Sequence, residues 1–211
     1  MLPEPDSDCR FCPRLAAFRD DNRAQFGGWF NGAVPSFGDI EPQLLIIGLA
    51  PGLRGANRTG RPFTGDYAGD LLYATLAEFG WSRGTYAADP GDGLQLSNCM
   101  ITNAVRCVPP ANKPTPAEIK TCLGYLQARI ASLPRLRALL ALGRVAHDAA
   151  LSAFGERKSA HPFSHGARHE LAGGLVLFDS FHCSRYNTNT GRLTPDMFRS
   201  VFAAIAIELG R

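Results

Sequence analysis

The chain has 211 residues, and its 22 lysines and arginines against 19 aspartates and glutamates give a formal net charge of +3. Apolar residues make up 45% and charged residues 19%, which is typical of a globular domain and excludes a disordered chain. A charge of this size does not indicate nucleic-acid binding by itself. No apolar run reaches the ~20 residues that span a bilayer, and no secretory signal is visible. We therefore expect a single cytosolic domain over residues 1–211.

Short aliphatic runs alternate with helical patterns along the chain. Leu44–Gly48 is an unbroken apolar run that ends in glycine, which is typical of a buried parallel strand. Further strands are expected at Leu96–Val105, Leu136–Leu142 and Leu175–Phe181. Helices are expected at Gly69–Gly80, from a capping box at Thr115–Glu118, after Gly143 to about Phe154, and from Thr194–Pro195 onward. This alternation predicts a three-layer α/β/α sandwich with a central four-stranded, mainly parallel sheet.

Ligands of such sheets bind in loops beyond the carboxyl ends of the strands. The first of these loops, Gly48–Asp66, has five glycines in nineteen residues, which allow the backbone to approach a ligand closely. It is not a P-loop, because Arg61-Pro62 stands where that motif needs Lys and then Ser or Thr, so we expect no nucleotide cofactor. The alternative is a plain glycine-rich connector. Three arginines without an acidic neighbour before Asp66 suit phosphodiester contacts: Arg54, Arg58 and Arg61.

The loops after two later strands hold further polar candidates. Asn103 offers a donor and an acceptor near a strand end, although an asparagine there can equally be a turn or capping residue. His182 directly follows a buried strand, a usual position for a catalytic group. Arg185 and Arg192 have no acidic neighbour, and Tyr186 has a ring that suits stacking on bases.

The remaining histidines and the cysteines are candidate metal ligands. The spacing i, i+4, i+8 occurs at His161, His165 and His169, but Pro162 and Gly166 argue against one helix that carries all three, and His147 is interpreted as structural. Cys9-x-x-Cys12 has metal-ligand spacing, and a second pair would be Cys107 and Cys122. Spacing alone allows a structural zinc as well as an iron–sulfur cluster. Cys122 also lies on a helical apolar stripe, where a buried free thiol is the alternative.

Several motifs together resemble those of family 5 (type b) uracil-DNA glycosylases. Gly48–Gly52 and Asn57–Asp66 resemble the first motif of that family, and His182–Thr194 resembles the second. Family 4 enzymes carry Glu where this chain has Leu49, so the resemblance is to family 5. It extends from about Cys9 to Thr194. The [4Fe–4S] ligand set of families 4 and 5 is similar to Cys9, Cys12, Cys107 and Cys122, which leaves Cys99 and Cys183 uncoordinated.

The resemblance implies a DNA repair enzyme that flips a base out of DNA and hydrolyses its N-glycosidic bond without a lyase step. The expected substrates are uracil and other deaminated bases such as hypoxanthine. His182 would stabilise the departing base anion by a hydrogen bond. Asp66 would orient water and stabilise the oxocarbenium-like sugar, the alternative being a helix N-cap, and Asn112 is a second catalytic candidate. The implied substrate-binding residues are Gly48, Leu49, Ala50, Gly52, Phe63 and Asn103.

The implied DNA-binding residues are basic or polar side chains of the first and last loops. We expect them to make DNA binding sensitive to salt. Phe63 would stack on the flipped base, although a lone phenylalanine is more often part of a core. Cys183 replaces a proline of related proteins. We expect a monomer that works at the nucleoid of a prokaryotic cell. The DNA-binding set is Arg54, Arg58, Arg61, Ser184, Arg185, Tyr186 and Arg192.

The sequence allows two other functions. Leu49 and Ala50 are apolar where related families carry a polar residue, so the chain is alternatively a non-turnover protein that binds damaged DNA. A weaker alternative is a metal-stabilised nucleic-acid-binding module without base recognition.

Overall fold

The computed structural model describes residues 3–211. Its strands are β1 Phe37–Gly38, β2 Leu44–Gly48, β3 Ser82–Arg83, β4 Gln95–Leu96, β5 Cys99–Asn103, β6 Ala138–Leu142, β7 Arg168–Glu170 and β8 Val176–Ser180. Its helices are α1 Pro13–Gln25, α2 Ala56–Thr59, α3 Tyr67–Glu78, α4 Pro116–Ala131, α5 Arg144–Phe154, α6 Arg185–Asn189 and α7 Pro195–Leu209.

The main sheet has the order β1-β5-β2-β6-β8-β7. Its four central strands are parallel, and the short strands β1 and β7 add to the edges in antiparallel orientation. The four predicted strands form this parallel centre, which confirms the predicted fold class. The sheet has six strands instead of the expected four. The edge strands have two and three residues, too few for a hydrophobic alternation to be recognised in the sequence.

Each face of the sheet is covered by helices, because successive side chains of a strand point to opposite faces. Leu44 and Ile46 pack with buried residues of α3 and α7, whereas Leu45 and Ile47 pack with those of α4 and α5. All residues of β2, β5, β6 and β8 are buried, as expected for parallel strands with two covered faces.

The helix caps read from the sequence are present. Thr115 and Glu118 form the predicted capping box: the Thr115 hydroxyl accepts from the Glu118 N–H at 3.3 Å, and the Glu118 carboxylate accepts from the Thr115 N–H at 2.7 Å. Thr194 likewise caps α7, with Pro195 in its first turn. These caps satisfy backbone donors that the helix itself leaves free, and they fix where α4 and α7 begin.

Two parts of the chain differ from the sequence-based expectation. The strand expected at Leu96–Val105 is divided, because Asn98 has a φ of 57°, which no extended strand accommodates. Its first part, β4, pairs with β3 in a separate two-stranded sheet. The helix α1 was not predicted, because its sequence is largely polar and buries only Leu15, Ala16, Arg19 and Asn22.

The topology brings the three candidate loops to one edge of the sheet. Gly48 at the end of β2 lies in register with Asn103 at the end of β5, and β8 ends two residues before His182. Within residues 3–211, every helix is too short or too polar to cross a bilayer.

Candidate active site

A cleft of about 720 Å³ opens beyond the carboxyl ends of the central strands. It brings together all the predicted catalytic residues and most of the predicted substrate-binding residues. The predicted residues that line it are Leu49, Ala50, Gly52, Arg54, Phe63, Asp66, Asn103, Asn112, His182, Ser184 and Arg185. Four further lining residues were not predicted, because their only signal in the sequence was their nearness to Asp66: Ala56, Gly65, Tyr67 and Ala68.

Asp66 stands on the wall of the cleft at the N-terminus of α3. Its Oδ1 accepts a hydrogen bond from the Gly69 N–H at 3.3 Å, so it is the helix N-cap that the sequence offered as an alternative role. Burial raises the pKa of this carboxyl, against the lowering effect of the backbone N–H groups of Gly69 and Ala68. A side chain on Gly55 would collide with Asp66 Oδ2, so glycine at this position is what lets the carboxyl occupy the cleft wall.

Asn103 and Phe63 form the inner end of the cleft. The Asn103 Oδ1 atom is buried and has no hydrogen-bond partner within residues 3–211. A side chain on Gly48 would collide with this oxygen and come within 2.7 Å of the Phe63 ring, so Gly48 lies directly behind the cleft without lining it. Phe63 is 7% exposed and belongs to the core cluster, yet it also lines the cleft. Its position is therefore compatible with both predicted roles, a core residue and a ring that stacks on the base. Its φ of 52° is rare for a side chain of this size.

His182 faces the cleft from the loop after β8. Burial lowers the pKa of His182 to about 4, so the imidazole is neutral at pH 7 and carries one N–H donor. Its ring stacks on Phe63 with the centroids 5.8 Å apart. The backbone on either side is fixed by side chains: Asn187 Nδ2 donates to the His182 carbonyl at 2.8 Å, and His165 Nδ1 accepts from the Phe181 N–H at 3.2 Å.

The mouth of the cleft carries basic and aromatic groups. Arg54, Arg58, Arg185 and Arg192 are exposed, and none of them pairs with a carboxylate in the described part of the chain. The Arg185 guanidinium lies 5.2 Å from the centre of the Tyr67 ring, and that of Arg192 lies 4.6 Å from the centre of the Phe181 ring. Tyr186 on α6 is 72% exposed. Unpaired cations of this kind around a cleft attract a polyanion.

Arg61 contradicts its prediction as a DNA contact. Only 5% of its surface is exposed, and its guanidinium makes two hydrogen bonds to the Asp92 carboxylate, at 2.7 and 2.8 Å. The rings of Phe37, Tyr73 and Tyr86 surround it within 5.2 to 5.8 Å. The sequence concealed this pairing because Asp92 lies 31 residues further along the chain. Arg61 therefore holds the first loop in place and does not face the solvent.

The four cysteines with metal-ligand spacing surround one small cavity between the N-terminal segment, the loop after β5 and α4. Arg19 Nη1 lies 3.5 Å from Cys107 Sγ, within hydrogen-bond distance. Burial raises the pKa of Cys107 to about 12 and that of Cys122 to about 11. Buried Nε atoms of Arg19 and Arg106 beside this cavity have no hydrogen-bond partner within residues 3–211.

The separation of these sulfurs bears on which group they would hold. A four-thiolate zinc site keeps its sulfurs about 3.8 Å apart, because each lies ~2.3 Å from one tetrahedral ion. In the part of the chain that the structure describes, no three cysteine sulfurs lie within 4.8 Å of one another. The residues fit a larger group that gives each thiolate its own metal atom, and the unpartnered arginine donors fit an anionic group.

The other cysteines and histidines occupy structural positions. Cys99 and Cys183 are fully buried away from this cavity, and Cys183 Sγ donates to the Ala68 carbonyl at 3.4 Å. His147 bonds through both ring nitrogens, to Asp179 Oδ1 at 2.7 Å and to the His161 carbonyl at 2.9 Å, in agreement with its structural interpretation. His169 contacts the same carboxylate at 3.0 Å.

The geometry of the cleft defines a class of protein. A single cleft combines a neutral imidazole, a half-buried carboxylate, an unpartnered amide and an aromatic ring, with unpaired arginines at its mouth. This arrangement suits an enzyme that takes a planar, hydrogen-bonding group from a polyanion into the cleft.

Comparisons with known proteins agree with this class. Residues 35–206 match the family model described as the uracil DNA glycosylase superfamily. The chain is 50% identical over 198 residues to a type-5 uracil-DNA glycosylase of Thermus thermophilus, covering 92% of this chain and 90% of that one. It is 36% identical to a type-5 uracil-DNA glycosylase of Pyrobaculum aerophilum, over 96% and 90% of the two chains. A crystal structure of wild-type Pedobacter heparinus SMUG2 aligns with a TM-score of 0.47 and 15% identity, over 78% of this chain and 76% of that one.

The chain belongs to the type-5 family of the uracil-DNA glycosylase superfamily. The resemblance identified from the motifs is thereby confirmed.

Proposed function

We propose that this chain removes uracil from DNA by hydrolysing its N-glycosidic bond and leaves an abasic site for base excision repair. The observation that carries the proposal is the buried, unpartnered Oδ1 of Asn103 at the inner end of the cleft. A buried acceptor without a partner costs about 1–3 kcal/mol, so a ligand that donates to it gains that free energy. Uracil presents an N3–H donor beside the O4 acceptor, which matches the acceptor and donor of one amide.

The other residues of the cleft supply the remaining parts of the reaction. Phe63 stacks on the flipped base, and the neutral His182 donates its N–H to O2, where charge develops as the glycosidic bond breaks. Asp66 as a carboxylate stabilises the positive charge on the sugar and orients the attacking water. The water oxygen bonds to C1′, its proton passes to the Asp66 carboxylate, and the electron pair of the broken C1′–N1 bond departs with uracil as an anion. No lysine lines the cleft in the described part of the chain, which supports hydrolysis without a lyase step.

Asn112 and the basic residues act on the DNA side of the cleft. Asn112 is exposed on the rim, at a φ of 56°, and we propose that it assists in positioning the sugar or water. Arg54, Arg58, Arg185 and Arg192 bind phosphates, and Ser184 and Tyr186 contact the strand beside the flipped nucleotide. We propose that the protein acts on DNA of the nucleoid as a monomer.

Other deaminated bases are proposed as further substrates. Leu49 and Ala50 give this part of the cleft an apolar wall that does not select for one pattern of hydrogen bonds. A cleft of about 720 Å³ also has room for a purine such as hypoxanthine. The same two residues favour the second candidate function, a protein that binds damaged bases without turnover, because neither side chain can hold water.

Replacement of Asn103 by alanine tests the proposal. We expect the wild type to release uracil in multiple turnovers from an oligonucleotide with one uracil, measured by alkaline cleavage of the abasic site. Asn103→Ala is expected to lower kcat/KM for uracil about 10- to 100-fold, because the variant loses a buried hydrogen bond to the base.

The control for this experiment is Asn189→Ala, at an exposed asparagine outside the cleft, which should leave kcat/KM unchanged. Wild-type binding of uracil DNA without any release would establish the non-turnover protein instead. Equal kcat/KM for uracil release by the wild type and Asn103→Ala would show that the Asn103 amide does not recognise the base.

We also propose that Cys9, Cys12, Cys107 and Cys122 hold a [4Fe–4S] cluster that ties the N-terminal segment into the 1–211 domain. The cluster would act structurally, with no redox step. Its support is that no three cysteine sulfurs of the described residues lie within 4.8 Å of one another, and that the buried Nε donors of Arg19 and Arg106 have no partner there, which suits an anionic cluster.

Metal analysis tests the cluster. Protein purified without oxygen is expected to carry about four irons and four sulfides per chain and a broad visible absorption band, because each thiolate binds one iron. Cys107→Ser should lose both iron and colour, whereas Cys99→Ser should keep them, because Cys99 is buried outside this cavity. One zinc per chain without sulfide would contradict the proposal.

A further inference from the structure

An aromatic pair without a place in the core lies beside the DNA-facing loop. Phe26 and Trp29 follow helix α1, and their rings are stacked with centroids 4.0 Å apart and an interplanar angle of 7°. Both rings are half-buried, and neither belongs to any of the hydrophobic clusters of residues 3–211. A large aromatic side chain that buries little area in a core contributes little to folding, so this stacked pair needs another explanation.

The turn that carries the pair is attached to the first motif loop. The Phe30 N–H donates to the Arg58 carbonyl and the Asn31 N–H donates to the Asn57 carbonyl, both at 3.0 Å. Asn57 Nδ2 in turn donates to Asn31 Oδ1 at 2.9 Å, between two fully buried side chains. The position of the aromatic pair is therefore fixed relative to the candidate active site.

A second cavity of about 460 Å³ separates the aromatic pair from the loop. It is lined by Phe26, Trp29, Arg54, Arg58 and Gly65. Arg54 and Gly65 also line the active-site cleft, so the two cavities adjoin. A ligand that occupies both cavities would contact these two shared residues.

The charge of the second cavity indicates what it binds. Arg54 and Arg58 have no carboxylate partner in the described part of the chain, and Arg58 Nε donates to the Arg54 carbonyl at 2.9 Å. The carbonyl bond fixes the Arg58 side chain over the loop while its charge stays uncompensated. Stacked aromatic rings next to fixed arginines are the combination that binds unpaired nucleotides.

We propose that this second cavity is a subsite for a nucleotide next to the flipped base on the same DNA strand. The neighbouring base or its deoxyribose extends the stack of Phe26 and Trp29, and Arg54 and Arg58 bind the phosphate that joins it to the flipped nucleotide. The subsite takes any base, because every base has a face that stacks. This inference rests on the proposed function, since it assumes that the large cleft holds a nucleotide of DNA.

Kinetics on three oligonucleotides test the subsite. One carries several nucleotides on both sides of a single uracil, and the other two lack the 5′ or the 3′ flank. Trp29→Ala is expected to raise KM for the full-length substrate about tenfold and to leave kcat nearly unchanged, because it removes stacking outside the reacting centre. On the truncated substrate that lacks the flank bound in the subsite, Trp29→Ala and the wild type should have the same KM.

Two matched variants control for indirect effects. Trp29→Phe keeps a stacking ring and should retain a KM close to that of the wild type. Ile207→Ala removes an equally apolar side chain, 79% exposed on α7, and should change neither constant. An unchanged KM in Trp29→Ala, or an equal rise on all three substrates, would overturn the subsite alone. An absence of uracil release by the wild type would overturn the proposed function and the subsite with it.

Fluorescence supplies an independent measurement. The chain has two tryptophans, and Trp81 is fully buried, so Trp29 is the one that a ligand can contact. DNA with one uracil should quench the emission of the Asp66→Asn variant, which binds without rapid turnover, and this quenching should disappear in Asp66→Asn/Trp29→Phe. Quenching that persists in the double variant would overturn the contact between Trp29 and DNA.

Discussion

Replacing Asp66 by asparagine is expected to lower kcat for uracil release about 10²- to 10³-fold, with little change in stability. The charge is lost, so the variant can neither stabilise the positive sugar nor polarise the attacking water. The helix cap is kept, because asparagine caps helices about as well as aspartate and its side-chain oxygen can accept from the Gly69 N–H. Single-turnover kinetics and thermal unfolding of the same preparation separate these two effects.

The matched control is Asp70→Asn, which removes the same charge from the first turn of the same helix. Asp70 is exposed and does not line the cleft, so its variant should keep nearly full activity. In the wild type, kcat should fall on acidification at a pH above the ordinary aspartate value, because burial raises the pKa of Asp66 and protonation removes the charge. An Asp66→Asn variant as active as the wild type would assign Asp66 to the helix cap alone.

The second large effect is expected on stability. Arg61→Ala should lower the free energy of unfolding by about 3–5 kcal/mol, because it leaves the buried Asp92 carboxylate without its partner. Urea denaturation measures this loss. Hydrogen bonds from Arg61 hold the pKa of Asp92 well below its usual range. The contribution of the pair is therefore fully present above pH ~4 and is lost as the pH falls below the pKa of an unfolded aspartate.

Two comparisons make the test specific to the buried pair. Arg157→Ala, at an exposed arginine, should change the free energy of unfolding by less than about 0.5 kcal/mol. The double variant Arg61→Met/Asp92→Leu should lose less stability than Arg61→Ala, because no buried charge remains unpaired. If Arg61→Ala lowers the free energy of unfolding by less than about 1 kcal/mol, the structural role is contradicted and the prediction of Arg61 as a DNA contact is favoured.

The parallel core and its helices could be predicted from the sequence because their signals are local. An aliphatic run such as Leu44–Gly48 and a capping box such as Thr115–Glu118 determine structure within a few residues. The edge strands and α1 escaped prediction for the opposite reason. Their stability comes from neighbours distant in sequence, as in the pairing of Phe37 with Ile101, and their own residues carry no periodic pattern.

The candidate site was predictable to the extent that strand ends and motifs mark it. Asp66 lies in a motif loop, Asn103 at the end of β5 and His182 just beyond β8, and the structure brings them to one cleft. Arg61 was wrongly assigned, because an unpaired arginine and one paired across 31 residues look the same in a sequence. Trp29 was missed, because it lies outside every motif and reaches the site only through the turn after α1.

Arg14 donates two hydrogen bonds to the Glu118 carboxylate, at 2.8 and 2.7 Å, and this contact has a consequence for how the chain assembles during synthesis. The two residues lie 104 positions apart, and Glu118 also forms the capping box of α4. Closing a loop of this length costs about 4 kcal/mol of chain entropy before any contact forms. Because Arg14 precedes Glu118 by 104 positions, the N-terminal segment leaves the ribosome well before α4, the helix that it contacts, has been synthesised. Cys9 and Cys12 cannot meet Cys107 and Cys122 until residues 107–122 emerge, so we expect loading of the proposed cluster to follow, and not precede, the synthesis of α4.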